Sequence, residues 1–183
     1  MKKLFFFLLF TAYFMQSHAQ FGYKKFFYSV GVTGKYLSAD EYTGYDFNLS
    51  FVPRYNFWEI NEENTVSVEA RPEIGIGTRD WYIYGAYEET FPTRVSFGLP
   101  VLFNYNWGLN AEEDSAYKLG FYIGGGYNYA NVFSDTPPYK AIHGPAFDFG
   151  LRFDGEPVSH ISFIYTHGID GGNIYSLGFY YDF

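Results

Sequence analysis

The stretch YDFNLSFVPRYNFW, residues 45 to 58, alternates between two kinds of side chain with a period of two. Successive side chains of a β-strand point to opposite faces of a sheet, so the stretch predicts a long strand with two unlike faces. The apolar or aromatic face carries Tyr45, Phe47, Leu49, Phe51, Tyr55 and Phe57. The polar face carries Asp46, Asn48, Ser50, Arg54 and Asn56. Which of these two faces contacts water decides the fold.

The same period recurs along the rest of the chain, and no segment has a convincing helical period. Polar or glycine-rich connections separate the segments. Eight such segments fit either a soluble barrel that buries its apolar face or an outer-membrane barrel that turns that face toward lipid. The predicted strands cover residues 27–37, 45–58, 65–77, 93–107, 117–130, 145–153, 159–167 and 174–183.

Charge distinguishes the two architectures, because the apolar phase of the eight segments contains no Asp, Glu, Lys or Arg. The polar phase holds six cations and five anions, a sum of +1, although residues 20–183 carry 10 basic and 20 acidic residues. An unpaired charge in a narrow lumen of low dielectric costs several kcal/mol, so a lumen requires such a balance and a solvent surface does not. We expect a lumen charge network of Lys35, Asp46, Arg54, Glu69, Arg71, Glu73, Arg94, Lys118, Asp148, Arg152 and Asp182.

Side-chain size and the placement of aromatic residues favour the same polarity. The polar phase is rich in Gly, Ser and Thr, which leave room for large side chains inside a barrel of eight strands. Tyr and Trp concentrate toward the ends of the apolar phase, as they do at the two interfaces of a membrane. The sequence therefore predicts an all-β fold, an eight-stranded antiparallel up-and-down transmembrane β-barrel with a filled polar lumen.

The first residues have the pattern of an export signal. Lys2 and Lys3 precede an apolar run over residues 4–14, and Ser17-His18-Ala19 places small residues where a signal peptidase cleaves. A transmembrane helix needs about 20 apolar residues, roughly twice the length of this run. We predict a signal peptide over residues 1–19 and an outer-membrane β-barrel domain over residues 20–183.

At its C-terminus the chain resembles a known class of protein. The final SLGFYYDF, residues 176–183, alternates aromatic residues up to a C-terminal Phe and resembles the signal read by the barrel-assembly machinery. With the eight segments, it makes the chain similar to small outer-membrane barrels of the OmpA and OmpX type, and more closely to the PorT-like barrels of Bacteroidota. The resemblance implies the outer membrane of a Gram-negative bacterium, contact with outer-membrane lipid and lipopolysaccharide, and no single activity.

The connections predict which end of the barrel faces outward. With the N-terminus inside, residues 59–64, 108–116 and 154–157 become short periplasmic turns, and the two longest connections become external loops. One external loop, residues 78–92, is rich in aromatic residues that could bind another outer-membrane or surface protein. The alternative is that the flanking strands simply continue above the bilayer. The candidate binding residues, here called the rim aromatics, are Trp81, Tyr82, Tyr84 and Tyr87.

One motif allows an enzymatic alternative. His160 and Ser162 share a strand face, as a His-activated serine nucleophile requires, and they resemble the His-x-Ser of PagL-type lipid A deacylases. However, no Asn follows Ser162, the last strand has no Glu, and the neighbouring apolar residues turn both side chains inward. We therefore predict a non-enzymatic, non-conducting protein with a structural or interaction role, and a lipid A acyl hydrolase remains the alternative.

No cofactor, metal or nucleic acid is predicted. The chain has no Cys, which excludes disulfides and thiolate metal sites. Its acidic runs at residues 40–41 and 112–114 are more typical of solvated turns than of a calcium site. A pI of about 4.9 without a basic stripe does not fit a nucleic-acid-binding protein.

Overall fold

The computed structural model describes residues 25–39, 42–83, 87–111, 116–132, 141–169 and 171–183. The side chains of residues 42, 79–83, 87–94 and 132 are not part of that description. The predicted signal peptide, residues 1–19, lies outside the described residues, and so do both acidic runs and Tyr84. In the described part of the chain, no helix is long and apolar enough to cross a membrane.

The described strands form one closed antiparallel sheet, because β1 pairs with β2 on one side and with β10 on the other. Elsewhere, strands that are neighbours in the sheet are also neighbours along the chain, once two pairs of consecutive segments are each counted as one strand. The strand segments are β1 (Phe26–Ser38), β2 (Tyr42–Asn61), β3 (Asn64–Ala70), β4 (Glu73–Ile83), β5 (Tyr87–Gly98), β6 (Val101–Gly108), β7 (Leu119–Val132), β8 (Ile142–Phe153), β9 (Val158–His167) and β10 (Asn173–Asp182).

These ten segments make eight strands, because prolines interrupt two of the strands without changing their register. Arg54 of β2 pairs with Glu69 of β3 and Ser50 pairs with Glu73 of β4, which is one continuous alignment across Pro72. The same continuity holds for β5 and β6 across Pro100. Proline has no N–H to donate, so the ladder lacks one hydrogen bond at each proline while the strand goes on. The predicted eight-stranded antiparallel barrel is therefore confirmed.

The polarity of the barrel also agrees with the prediction. Along β3 and β4, Arg71 and Glu73 face inward and are 0% and 2% exposed, whereas Ile74 and Ile76 face outward and are 60% and 56% exposed. The same division runs around the whole outer face, where large aliphatic and aromatic side chains are exposed on every strand. An apolar surface of this extent fits hydrocarbon rather than water.

A β-bulge at the end of β2 breaks the simple alternation. The register shifts between Asn56 and Trp58, so Trp58 pairs with Val66 of the outer face. As a result Phe57 and Trp58 are adjacent in sequence and both point outward, with Trp58 61% exposed. A bulge inserts one extra residue and re-aims the side chains that follow it. The bulge therefore places Trp58 beside Phe57 on the outer face. Both lie at the end of the barrel that holds the two chain termini, called the terminal end below.

The interior is not uniformly polar. Leu37, Ala130, Ile142 and Ile174 face inward and pack together, with Ala39 against them. All four lie within two residues of a strand end, at the end opposite the termini, called the loop end below. A second inward cluster joins Leu102, Ala146 and Ile164. The predicted polar lumen therefore contains apolar clusters, one of which lies at the loop end.

Candidate functional site

The interior of the barrel holds most of the predicted charge network. Nine of its eleven members are buried on the inner face, although the expected cost of burying a charge is high unless it is paired. The structure arranges most of them in three clusters of ion pairs and hydrogen bonds. The buried members are Lys35, Asp46, Arg54, Glu69, Arg71, Glu73, Asp148, Arg152 and Asp182.

The central cluster is built on Arg71. Its Nε donates to Glu69 Oε1 at 2.6 Å, its NH2 donates to Asp148 Oδ2 at 2.7 Å, and its NH1 donates to Ser162 Oγ at 2.5 Å. A guanidinium group presents five donors in a fixed fork, so one arginine can serve two carboxylates and a hydroxyl at once. Asp148 also accepts hydrogen bonds from Asn104 Nδ2 at 2.9 Å and from Ser162 Oγ at 3.0 Å. The cluster ties β3, β6, β8 and β9 together.

A second cluster lies beside a glycine. Lys35 of β1 and Glu73 of β4 form an ion pair in which both side chains are buried. Ser50 Oγ donates to Glu73 Oε1 at 3.4 Å. A Cβ atom at Gly98 would overlap both the ammonium and the carboxylate, so the glycine leaves room for the pair in its present position. Small residues on the inner face therefore make room for the buried charges.

The third cluster surrounds Asp182 at the terminal end. Ser29 Oγ donates to Asp182 Oδ1 at 2.6 Å, and His160 Nδ1 lies 2.8 Å from the same oxygen. Asn110 Nδ2 donates to the other oxygen, Oδ2, at 2.6 Å. Arg152 Nε lies 4.0 Å from Oδ2, and the Arg152 guanidinium covers the ring of Tyr122. The cluster joins both terminal strands of the closed sheet, β1 and β10.

The connection between β6 and β7 folds into the terminal end of the barrel. Within it, Leu109 and Ala111 are buried, and Asn110 has a positive φ of 57°. Arg54 NH2 donates to the Asn110 carbonyl at 2.6 Å, and Asn56 Nδ2 donates to the Ala111 carbonyl at the same distance. We call residues 108–111 the plug turn. The sequence predicted only an exposed turn here, so the plug turn is a feature that sequence reasoning missed.

Glu63, in the turn between β2 and β3, makes a backbone hydrogen bond to the plug turn. The backbone N–H of Gly108 donates to the Glu63 carbonyl at 2.9 Å. The Glu63 carboxylate accepts a hydrogen bond from the Tyr117 hydroxyl at 2.7 Å, and this bond raises the pKa of the Tyr117 phenol. Tyr117 in turn packs against Trp107, with ring centroids 5.3 Å apart. The turn between β2 and β3 and the plug turn therefore support each other.

Two predicted members of the network are not placed in it. Lys118 is exposed, because β7 begins only at Leu119 and Lys118 lies beyond the barrel wall, where its carbonyl accepts a hydrogen bond from the backbone of Asp154. Its predicted place in the lumen is corrected accordingly. Arg94 lies in β5 opposite Gly77, but its side chain is outside the described part of the chain.

His160 and Ser162 both face inward and are buried. Each contacts a different carboxylate, since the His160 ring contacts Asp182 and the Ser162 hydroxyl donates to Asp148. The His160 ring also stacks on Tyr180, with ring centroids 4.6 Å apart. This geometry turns both side chains away from the lipid face. Among the residues that the structure describes, no three His, Cys, Asp or Glu side chains are grouped to hold a metal ion.

Three of the four rim aromatics lie on two paired strands that extend the barrel wall. Trp81 and Tyr82 belong to β4, where their backbones pair with Glu89 and Glu88 of β5. The ladder continues until Ile83 pairs with Tyr87. The side chains of Trp81, Tyr82 and Tyr87 are not described, and Tyr84 lies outside the described residues altogether.

Comparison with known proteins identifies the fold. No family model and no curated protein sequence matches the chain. Ail, the attachment invasion locus protein of Yersinia pestis, in complex with the heparin analogue sucrose octasulfate, matches with a TM-score of 0.51 and 18% identity over 86% of this chain and 97% of that chain. The outer membrane protein OprG from Pseudomonas aeruginosa matches with a TM-score of 0.55 and 14% identity over 88% and 97%. Neisserial surface protein A matches with a TM-score of 0.51 and 12% identity over 88% and 99%. Similarity at this level of identity concerns the architecture, and that architecture is the small outer-membrane β-barrel.

Proposed function

We propose that this protein is an integral, non-conducting barrel of a Gram-negative outer membrane that acts through its external rim as a structural or interaction protein. In this proposal, residues 1–19 are removed on export, the barrel-assembly machinery inserts residues 20–183, and both termini face the periplasm. The resemblance of residues 27–183 to PorT-like barrels favours a Bacteroidota origin. The observation that supports the proposal is that buried side chains and residues 108–111 occupy the described interior of the barrel.

Closure at the terminal end depends on hydrogen bonds. The plug turn places Leu109 and Ala111 inside the barrel and occupies donors of Arg54, Asn56 and Thr65, the last through its hydroxyl to the Ala111 carbonyl at 3.1 Å. An ion entering from this end would have to displace the turn and strip these donors of their acceptors. Leaving a buried polar group unpaired costs about 1–3 kcal/mol each, more for a charged one. Several hydrogen bonds therefore hold the plug turn inside the terminal end of the barrel.

Closure elsewhere depends on packing. The apolar cluster around Leu37, Ile142 and Ile174 packs inside the lumen at the loop end, and the ion pairs of Arg71 and Lys35 lie between this cluster and the plug turn. Eight strands enclose an interior only wide enough for side chains. In this proposal, a hydrated ion finds too little width to pass between the side chains that occupy the described part of the interior.

With the interior closed and the outer face apolar, the external rim is the surface left for recognition. Tyr45, an aromatic residue exposed on the outer face, pairs with Thr78 of β4. The pairing of β4 with β5 continues five residues further, to Ile83. At about 3.3 Å per residue, the backbone of β4 extends roughly 17 Å beyond the level of Tyr45. The rim aromatics therefore lie on an extension that could reach a second outer-membrane or surface protein, which supports an interaction role.

Two measurements test this proposal. Refolded protein should migrate differently on a gel before and after heating, and it should require detergent or lipid to stay monomeric. Planar-bilayer recordings should then show no stable conductance. Recovery as a soluble monomer without detergent would overturn membrane insertion, and large stable channels would overturn closure.

Lipid A analysis separates this function from the acyl hydrolase alternative. Mass spectrometry should give identical lipid A from cells with and without the protein. An acyl-chain difference that disappears with Ser162→Ala, and persists with the matched buried variant Ser176→Ala, would replace the interaction role with catalysis.

A further inference from the structure

The outer face has a gap near the loop end, at a glycine of β1. Gly34 is exposed on this face and pairs with Phe47 of β2 on one side and with Leu177 of β10 on the other. Phe47 and Leu177 are 56% and 61% exposed, so their side chains project from the wall on either side of the glycine. A Cβ atom at Gly34 would meet only the Leu177 carbonyl, at 4.0 Å. The gap is therefore one strand wide.

Tyrosines border the gap on the side of the loop end. Tyr36 follows Gly34 by two residues on the same face, and it pairs with Tyr45 of β2 and Tyr175 of β10. The centroid of the Tyr36 ring lies 5.2 Å from that of Tyr45 and 6.2 Å from that of Tyr175. These side chains and the gap form a groove of about 340 Å³, called the Gly34 groove below. Its lining includes Gly34, Tyr36, Tyr45, Phe163, Tyr175 and Leu177.

The tyrosines indicate the depth of the Gly34 groove in the membrane. Tyrosine is typical of the interface between lipid headgroups and hydrocarbon. Gly34 lies two residues further from the loop end than Tyr36, which is about 7 Å along the strand. Val32 and Phe179, a further two residues along β1 and β10, are exposed and apolar. The groove therefore opens toward hydrocarbon just below the headgroups.

The width of the Gly34 groove favours a single hydrocarbon chain as its occupant. Neighbouring strands are about 4.8 Å apart, so the backbones of Phe47 and Leu177 are separated by roughly 10 Å. An α-helix with its side chains is about 10–12 Å across and cannot enter between two projecting side chains at that separation. The wall of a second barrel would contact Tyr45, Phe47 and Leu177 before it reached Gly34. An alkyl chain is narrow enough to touch the floor and both sides.

We propose that the Gly34 groove binds one acyl chain of an outer-leaflet lipid, with its ester end beside the tyrosines. This inference rests on the proposed function, because it requires the barrel to lie in the membrane with the loop end outward. Hydrocarbon gains little from leaving other hydrocarbon, so the chain is retained by van der Waals contact. A chain in the groove touches protein atoms on three sides, whereas a chain against a filled part of the wall touches them on one.

Photolabelling in nanodiscs tests the groove directly. The probe is phosphatidylethanolamine with a diazirine on one acyl chain, either beside the ester or at the terminal methyl. Val95 of β5 is the reference, because it is exposed in the same row of residue pairs as Gly34, through Phe47 and Ile76. Mass spectrometry of the digested protein should show that the probe beside the ester labels Leu177 more than Val95, and that the terminal probe has no such preference. Equal labelling by the first probe would overturn the inference.

Variants that fill the groove give a second readout. Gly34→Phe and the smaller Gly34→Val should lower the labelling of Leu177 to the level of Val95, whereas Val95→Phe, in a filled part of the wall, should leave the excess unchanged. Excess labelling that survives Gly34→Phe would overturn the site, and so would a stable dimer that Gly34→Phe dissociates, because a second copy would then occupy the groove. Heat-dependent migration separates the two failures: a barrel that does not insert refutes the proposed function, whereas an inserted barrel with uniform labelling refutes only the groove.

Discussion

Replacing Arg71 by Met should destabilise the barrel more than any exposed substitution of the same kind. The change keeps a long apolar side chain but removes the donors to Glu69, Asp148 and Ser162. Two carboxylates that are almost fully buried then lose their cation. Breaking a buried ion pair by removing one partner costs about 3–5 kcal/mol, because the other charge remains uncompensated. We expect Arg71→Met to lower the free energy of unfolding by about this amount.

The rescue variant makes this reasoning testable. Combining Arg71→Met with Glu69→Gln and Asp148→Asn removes the orphaned charges, and it should restore a large part of the loss because neutral polar groups are cheaper to bury. Unfolding in urea, followed by the fluorescence of Trp58 and Trp107 in lipid vesicles, gives both free energies. Lys118→Met, at an exposed position, is the matched control and should change stability by no more than about 0.5 kcal/mol. A loss below about 1 kcal/mol for Arg71→Met, or a triple variant no more stable than the single one, would refute the argument.

Three further predictions concern the wall, the plug turn and the rim. Gly31→Val should prevent refolding or cost at least about 1–3 kcal/mol, because its side chain would overlap the Tyr180 ring and the backbone of β10. A Cβ atom at Gly34 meets only the Leu177 carbonyl, at a van der Waals distance of 4.0 Å, so Gly34→Val should refold normally by gel migration. Asn110→Ala should cost about 1–2 kcal/mol in urea unfolding, since it loses the bond to Asp182 and places a non-glycine residue without a polar side chain at φ 57°; Asn110→Gly should recover only the backbone part, and equal stability of all three proteins would contradict this role. Replacing the four rim aromatics by Ser should leave heat-dependent migration intact but weaken copurification of a partner from native membranes, and an unchanged set of copurifying proteins would contradict an interaction role for that hairpin.

The wall of the barrel could be predicted from the sequence because its chemistry repeats with the period of the strand. Asp46, Arg54 and Glu69 alternate with apolar residues, and this alternation defines one consistent inner face. The sheet then has to close, because the backbone groups of an unpaired edge strand cannot be left without hydrogen bonds in lipid. The bulge at Trp58 was not predictable in this way, since one extra residue changes the phase without leaving a compositional mark.

A filled lumen could be predicted from the sequence, but the particular contacts that fill it could not, for a physical reason. Leu37, Ile142 and Ile174 each occupy a single inward position at the end of a different strand, and only the closed sheet brings them into contact. The plug turn depends on Arg54 and Asn56, which precede Asn110 and Ala111 by more than 50 residues. Local patterns specify which face a residue occupies, whereas such contacts depend on the curvature of the whole wall.

The interrupted ladder at Pro72 and Pro100 has a mechanical consequence. Here the two prolines lie on neighbouring strands, and Arg71 donates its N–H to the Pro100 carbonyl while proline returns none. The closing pair of strands is different, because β1 and β10 keep ten consecutive residue pairs from Ser29 to Ser38. When a single barrel is pulled out of a bilayer by its C-terminus, we expect a rupture event in the force trace where the strands that carry Pro72 and Pro100 separate. The barrel would then open first between the strands that carry Pro72 and Pro100. The pairing of β1 with β10 should resist separation along its whole length.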